Sequence, residues 1–260
     1  MYHRFNEDKY PSTNIKLDVF KEQIEIIENE GIQFINPKNF KQNLSNNKIQ
    51  RKILLTIDDG LLSFYQNAWP ILKKRKIPFI LFVNTREVGA FNYMSWDQII
   101  ELHSYEFVEI GNHSHSHEYL VDESSEVIEK DILKSIEIFE EKLGKNSTFF
   151  SYPFGEYSKE FKKIIMKLGF DFAFGQHSGV IDETKDLFEL PRFPINEKYG
   201  EISRFKTLMK TLPFKYKKII PEDKYLLKNY NPPKVEILFE ENINNLSQIS
   251  CFSNEGNKWR

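Results

Sequence analysis

The sequence predicts an α/β fold in which parallel strands are joined by helical crossovers. Three observations carry that prediction. Short β-branched or aromatic runs alternate through the middle of the chain with segments of helical spacing. Strand–helix–strand order favours parallel pairing, because each return to the same end of a sheet needs a crossover. Polar residues suited to catalysis also follow directly after several of the apolar runs, where active residues of parallel α/β folds collect. On this pattern alone an open sheet and a (β/α) barrel both remain.

In chain order, Ile53 to Ile57 reads as the first buried strand. Ser63 to Lys76 follows as a helix that Pro70 interrupts or kinks. Phe79 to Val83 is the second strand. A helix then begins near Ser95, whose hydroxyl caps Trp96-Asp97-Gln98. Phe107 to Ile110 is the third strand. The clearest helix spans about Glu123 to Leu143, where Val127, Ile128, Ile132, Ile136, Phe139 and Leu143 form an apolar stripe and Gly144 supplies a C-cap. Thr148 to Tyr152, a helix over Ser158 to Leu168 followed by Gly169, and Phe170 to Phe174 complete the alternation.

Composition changes after about Leu212. Asn231-Pro232-Pro233 punctuates the chain, and Val235 to Phe239 and Ile249 to Phe252 read as strands with no helix between them. The expected organisation is a catalytic domain over 1–212 and a small β-rich appendage over 213–260, packed on it and not necessarily whole.

At 260 residues the chain is long enough to bury a sizeable core. Lys+Arg 36 against Asp+Glu 38 gives a net charge of −2, so there is no global pull toward nucleic acid or an anionic membrane. Lys73-Lys74-Arg75-Lys76 and Lys215-Tyr216-Lys217-Lys218 read as solvated faces. The single cysteine, Cys251, excludes an intramolecular disulfide. No apolar run approaches the roughly 18 residues of a membrane span. Met1 to Asp8 lacks the apolar stretch of a signal peptide. As the chain stands a cytoplasmic location is expected, and an extracytoplasmic one if the true start lies upstream.

Two strings carry the chemistry. Asp58-Asp59-Gly60 closes the first strand, and His113-Ser114-His115-Ser116-His117 follows the third. Neighbouring side chains on a strand point to opposite faces, but where the chain turns both carboxylates reach one cleft. One can then bind a dication while the other stays free as a general base. His113 and His117, four apart, share a helical face or turn inward together around a loop. Taken singly, the first string is also an ordinary turn and the second an ordinary polar loop. As a pair they equip one metal ion with protein ligands and a spare carboxylate, which is what metal-assisted hydrolysis of an amide or ester requires.

The same residues resemble the polysaccharide deacetylase family, carbohydrate esterase family four. Its first motif, T-F-D-D-G, stands here as Thr56-Ile57-Asp58-Asp59-Gly60, and its second, H-[ST]-x-x-H, as His113-Ser114-His115-Ser116-His117. The resemblance implies a distorted (β/α) barrel, Asp58 as general base, and Asp59, His113 and His117 as metal ligands. Ser114 would hold the loop. The third motif, R-x-P-x-G, is kept only in part as Ser151-Tyr152-Pro153-Phe154-Gly155, and implies the backbone N–H of Tyr152 as oxyanion donor. Serine stands where an arginine normally orients the base. Arg192, in Leu190-Pro191-Arg192-Phe193, is the candidate replacement, with a structural surface arginine as the alternative.

The family's C-terminal L-x-H motif is absent from its usual place, since no histidine follows His177. Met1-Tyr2-His3-Arg4-Phe5 instead resembles the rearranged branch that includes the poly-N-acetylglucosamine deacetylases. That likeness implies His3 as general acid; His177, which follows the Phe170 to Phe174 strand toward the cleft, is a reserve acid by its position. The resemblance spans roughly residues 1–200. It implies one divalent ion, zinc by default with cobalt, nickel or iron as alternatives, and an N-acetylated glycan as substrate. O-deacetylation by the same groups, or a non-catalytic carbohydrate-binding protein on a decayed hydrolase fold, are the competing expectations.

Overall fold

Five parallel strands, each reached by a crossover from the one before, form the central sheet of the first 213 residues in the order in which the chain makes them. The computed structural model describes residues 1–44, 51–226, 229, 232–239, 249–250, 254–255 and 258–259. These fall into two units, Met1–Pro213 and Phe214–Arg260.

The first unit opens with two short parallel pairs. β1 (Arg4–Phe5) lies beside β2 (Asn14–Ile15), and β3 (Gln33–Phe34) beside β4 (Lys52–Ile53). Helices α1 (Leu17–Asn29) and α2 (Phe40–Leu44) occupy the interval. The central strands are β5 (Leu55–Ile57), β6 (Phe79–Val83), β7 (Val108–Asn112), β8 (Phe149–Ser151) and β9 (Phe172–Phe174), all parallel neighbours. The run Ile53 to Ile57 is thus two strands, of which only the second joins the central sheet.

The connecting helices are α3 (Trp69–Arg75), α4 (Trp96–His103), α5 (Ser125–Leu143) and α6 (Lys159–Lys167), with α7 (Ile202–Leu208) after the last strand. Their ends obey the sequence signals. Ser95 and Gln98 form a reciprocal capping box, Ser124 accepts from Val127 N, and Gly144 caps in the left-handed region at φ 79°. Pro70 lies in the first turn of α3, and the residues ahead of it, Phe64–Ala68, wind as a wider π turn. Having no N–H, Pro70 fits where the first turn of a helix lacks donors' partners anyway. The apolar stripe of α5 is narrower than its spacing implies, because Val127 stays exposed while Ile128, Ile132 and Phe139 are buried.

The sheet closes into a distorted barrel through two irregular segments. Tyr2 bridges Ile57 on one edge, and Leu190 bridges Phe174 on the other. Met1 N then donates to Phe193 O at 3.0 Å, and Ile195 N donates to Met1 O at 2.9 Å, joining those segments to each other. No helix among the described residues is long and apolar enough to cross a membrane.

Strand periodicity sorts the core into two layers. Phe79, Leu81 and Val83 pack outward with Leu55, Ile57, Val108 and Ile110 toward the helices. Ile80 and Phe82 pack inward with Phe149, Phe172, Phe174 and Leu190. The barrel is filled by aromatic rings, with Phe82 and Phe174 centred 5.7 Å apart. Gly111 makes room for this filling, since a Cβ there would lie 2.3 Å from the Phe82 ring. A bare backbone is therefore required two residues before His113.

The second unit contains an antiparallel pair, β10 (Lys218–Ile220) with β11 (Glu236–Leu238), and a short pair, β12 (Asn254–Glu255) with β13 (Lys258–Trp259). Phe214 meets Phe239 edge to face at 5.7 Å. Of the expected strand Ile249 to Phe252, Cys251 and Phe252 lie outside the described residues.

Glu109 on β7 is buried, and that burial pushes its carboxyl above the usual range against the opposing pull of Lys145 and Lys38. A carboxyl whose folded-state pKa is raised favours the fold at low pH, and loses that contribution as pH rises through the raised value. Glu109→Gln is therefore expected to melt higher than wild type at pH 7, with an advantage that shrinks as pH falls toward about 4. A melting series over that range checks it; a variant that melts lower at pH 7 would show that the carboxylate serves the fold.

Candidate active site

Asp58 is the first residue after β5 and inherits the inward direction of Thr56, two positions earlier. Its neighbour would face away if the strand continued. Instead the chain turns through the left-handed region at Asp59 (φ 75°) and Gly60 (φ 70°), which Asp tolerates better than most residues. Both carboxylates consequently serve one cleft at the C-terminal end of the barrel.

The loop after β7 delivers the histidines. His113 N donates to Val83 O, which continues the ladder, and the chain then leaves the sheet through left-handed Ser114 (φ 68°) and His117 (φ 53°). Ser114 Oγ accepts from His117 N at 3.0 Å and so closes the loop on itself. His113 Nδ1 lies 2.6 Å from Ser151 O, and donating to that carbonyl leaves Nε2 free to act as a ligand.

Three atoms converge. Asp59 Oδ1 is 3.5 Å from His113 Nε2 and 3.4 Å from His117 Nε2, and the three residues offer atoms all within 4.8 Å of one another. Donors about 2.1 Å from one tetrahedral centre stand about 3.4 Å apart. Asp59 Oδ1 and His113 Nε2 are buried without a hydrogen-bond partner, a costly state that a shared cation relieves. The donor set is one that zinc and related dications accept. The residues fit a metal ion.

The electrostatics agree with that fit. Burial alone would raise the Asp59 pKa, but His113, His3 and His117 together hold it well below the carboxylate range. Burial opposes charge on His113, yet Asp59 and Asp58 carry its pKa above the ordinary value. His117 goes the other way, to about 4, through burial and repulsion from His113. The pocket draws in one positive charge and resists a second proton.

Beside this cluster is Asp58, fully buried, with Oδ2 3.9 Å from His113 Nε2. Arg192 grips it in a bidentate fork, Nη1 to Oδ1 at 2.7 Å and Nη2 to Oδ2 at 2.8 Å. Arg192 is itself buried inside the barrel, with its guanidinium carbon 5.5 Å from the Phe82 ring centre and 5.8 Å from that of Phe174. It is not a surface arginine. Ser151 Oγ accepts from Arg192 Nη2 at 2.8 Å and donates to Asp58 Oδ2 at 3.2 Å. The serine at the arginine position of the third motif therefore makes space for, and bonds to, an arginine arriving from Leu190–Phe193. Burial would raise the Asp58 pKa, but Arg192, His113 and His3 outweigh it and hold the carboxyl below its usual range.

His3 follows Tyr2, whose carbonyl accepts from Asp58 N at 2.9 Å, so it stands at the same barrel end as both carboxylates. Burial lowers its pKa despite the opposing charges of Asp59 and Asp58. His177 is exposed, and His103 lies on α4, away from the strand ends.

Tyr152 does not fill the oxyanion role expected of it. Its N–H donates to Phe174 O at 3.0 Å, because the residue still belongs to the β8–β9 ladder. The chain leaves the sheet only at Pro153, which has no N–H. The first N–H past the strand that no backbone carbonyl takes is that of Phe154, a residue held at φ 58°. Gly155 is what permits this turn, since a Cβ there would lie 2.5 Å from the Gln176 nitrogen. The Phe154 ring lies 4.9 Å from His117 and 5.6 Å from Tyr119, and Phe154 and Tyr119 are 49% and 44% exposed. Sequence reasoning overlooked this aromatic wall, although Pro153 marked where the ladder had to end.

Residues 45–173 match the family model described as polysaccharide deacetylase. The poly-beta-1,6-N-acetyl-D-glucosamine N-deacetylase of Staphylococcus epidermidis is 26% identical over 205 residues, 74% of this chain and 69% of that protein. The solved structure of IcaB from Ammonifex degensii superposes with a TM-score of 0.73 at 25% identity, covering 81% of this chain and 95% of that one. The Streptococcus pyogenes deacetylase PplD, solved in complex with acetate, shares the fold with a TM-score of 0.72 at 24% identity, over 80% and 96% of the two chains.

Proposed function

Residues 45–173 belong to the polysaccharide deacetylase family, and from that premise we propose that the protein is a metal-dependent hydrolase that removes N-acetyl groups from a glycan containing N-acetylhexosamine. The observation that carries this reading is the meeting of three convergent donors, Asp59 Oδ1, His113 Nε2 and His117 Nε2, with a separate buried carboxylate whose Oδ2 is 3.9 Å from one of them. A purely structural metal site has no use for that fourth group.

Asp59, His113 and His117 would hold a dication, which when bound would supply a Lewis acid for the acetyl carbonyl and for a water; zinc suits the donor set, and cobalt, nickel or iron would also fit it. Asp58 takes the proton from the attacking water. A carboxylate with a lowered pKa is a weak base but is ionised at neutral pH, so it is free to accept that proton. Arg192 and Ser151 keep Asp58 ionised and aimed. The Phe154 N–H donates to the developing oxyanion. His3 protonates the leaving amine, and its lowered pKa makes the protonated form a stronger, though scarcer, donor. Phe154 and Tyr119 offer the sugar ring an apolar wall beside His117.

Zinc titration calorimetry on chelator-stripped protein, followed by acetate release from β-1,6-linked N-acetylglucosamine oligomers, tests the reading. One tight site is expected, lost or greatly weakened in His117→Ala, with acetate release that depends on added zinc. His3→Ala should slow the amide substrate about 10²-fold or more and an activated acetyl ester far less, because an ester leaving group needs little help from an acid. Equal losses on both would remove His3 from that role. Hydrolysis of esters alone would point to O-deacetylation, and zinc binding without any turnover to a carbohydrate-binding protein.

A further inference from the structure

We infer that Asp131, on α5, is a positioning residue that sets the His113–His117 loop and so aims His117 at the metal. The inference rests on the metal-dependent reading above. The loop has to hold two non-glycine residues in the left-handed region, Ser114 and His117, and such conformations persist only where the surroundings over-determine them.

Each backbone N–H from His113 to Glu118 has an acceptor. Val83 O takes His113, Asn112 Oδ1 takes Ser114, Ser114 Oγ takes His117, and Ser116 Oγ takes Glu118. The two in the middle go to one carboxylate. Asp131 Oδ1 accepts from His115 N at 2.8 Å, and Oδ2 accepts from Ser116 N at 3.1 Å. Successive N–H groups turned toward one anion form a concave nest, and the charge on Asp131 makes these the strongest bonds in the loop.

The helix clamps the segment twice. Ser135, one turn along the same face of α5, exchanges hydrogen bonds with Asn112 at 2.9 and 3.0 Å and so fixes the loop's entry. Asp131 fixes its middle, immediately before His117. Neither side chain reaches the metal cluster itself; the position of His117 is transmitted through backbone. Outer groups of this kind, when removed, cost about 10- to 100-fold in metal affinity.

The test compares wild type, Asp131→Ala and Asp131→Asn by zinc calorimetry on chelator-stripped protein, with amide hydrogen exchange read at His115 and Ser116. Asp131→Ala is expected to raise the zinc Kd about 10- to 100-fold and to speed exchange at those two amides. Asp131→Asn, which keeps one acceptor oxygen, should fall between wild type and Asp131→Ala, with exchange at His115 better protected than at Ser116. Should the alanine variant fail to fold, Asp131→Glu replaces it, because an extra methylene keeps the charge but displaces the oxygens; it carries the same expectation. A tight site in wild type with unchanged affinity and exchange in the variant overturns this inference alone. No zinc binding by wild type overturns the metal reading and this inference with it.

Discussion

Asp58→Asn is expected to lower kcat for acetate release by about 10²- to 10⁴-fold while leaving zinc affinity within a few-fold of wild type. The asymmetry follows from geometry. The three convergent donor atoms come from Asp59, His113 and His117, and Asp58 supplies none of them. Its role needs a lone pair that can accept a proton, which an amide cannot offer near neutral pH. The substitution also puts an amide NH₂ against one Arg192 N–H, so some loss of stability accompanies it and the melting point must be read beside the kinetics. Zinc lost together with turnover would place Asp58 among the ligands. Retained turnover would remove it from the chemistry.

The largest stability effect is expected from Arg192→Met. Asp58 and Arg192 are both buried, so removing the guanidinium strips the carboxylate of its charged fork and leaves it the Ser151 hydroxyl, with His113 Nε2 3.9 Å away. Breaking a buried pair in this way costs about 3 to 5 kcal/mol, or roughly 6 to 20 °C in Tm for a domain of this size. The pH dependence changes sign with it. In wild type the folded Asp58 pKa lies below its unfolded value, so the pair's contribution is present above about pH 4 and lost as pH falls through the folded value. Without Arg192 burial dominates and the pKa rises; the variant then loses stability as pH climbs through the raised value. Its deficit should be greatest at neutral pH and smallest in acid. Asp58→Asn added to Arg192→Met should recover part of the loss, since the uncompensated charge is gone. Strict additivity of the two substitutions in Tm would mean that they are not coupled.

The extent to which the site was legible varies with the kind of contact. Asp59, His113 and His117 come from short strings at two strand ends, and the alternation of apolar runs with helical spacing already placed those ends together. His3 was legible only through a likeness at the start of the chain, and its place in the structure comes from the Tyr2 bridge to Ile57. Arg192 was open between two roles, because nothing local distinguishes an arginine threaded between Phe82 and Phe174 from one on the surface. Tyr152 was misjudged for a related reason: which N–H is spare depends on how far Phe174 extends the ladder, and that partner is 22 residues away.

Asp131 shows the same limit. On α5 it reads as one charge among many on a solvated face, and only the return of the loop after β7 onto that helix turns it into an acceptor for His115 and Ser116. Gly111 was equally silent, since its need for a bare backbone is imposed by a ring on the neighbouring strand.

Local chemistry therefore reached the strands, the helix caps, the α/β class and the residues able to bind a cation. Those properties depend on side-chain period, capping hydroxyls and donor type, all written within a few residues of one another. Closure of the barrel, the arginine that grips Asp58, the free N–H at Phe154 and the clamp at Asp131 depend on pairs separated by between 15 and 194 residues. Such pairs exist only once the chain has folded, because each requires burial and backbone direction that no single segment can specify.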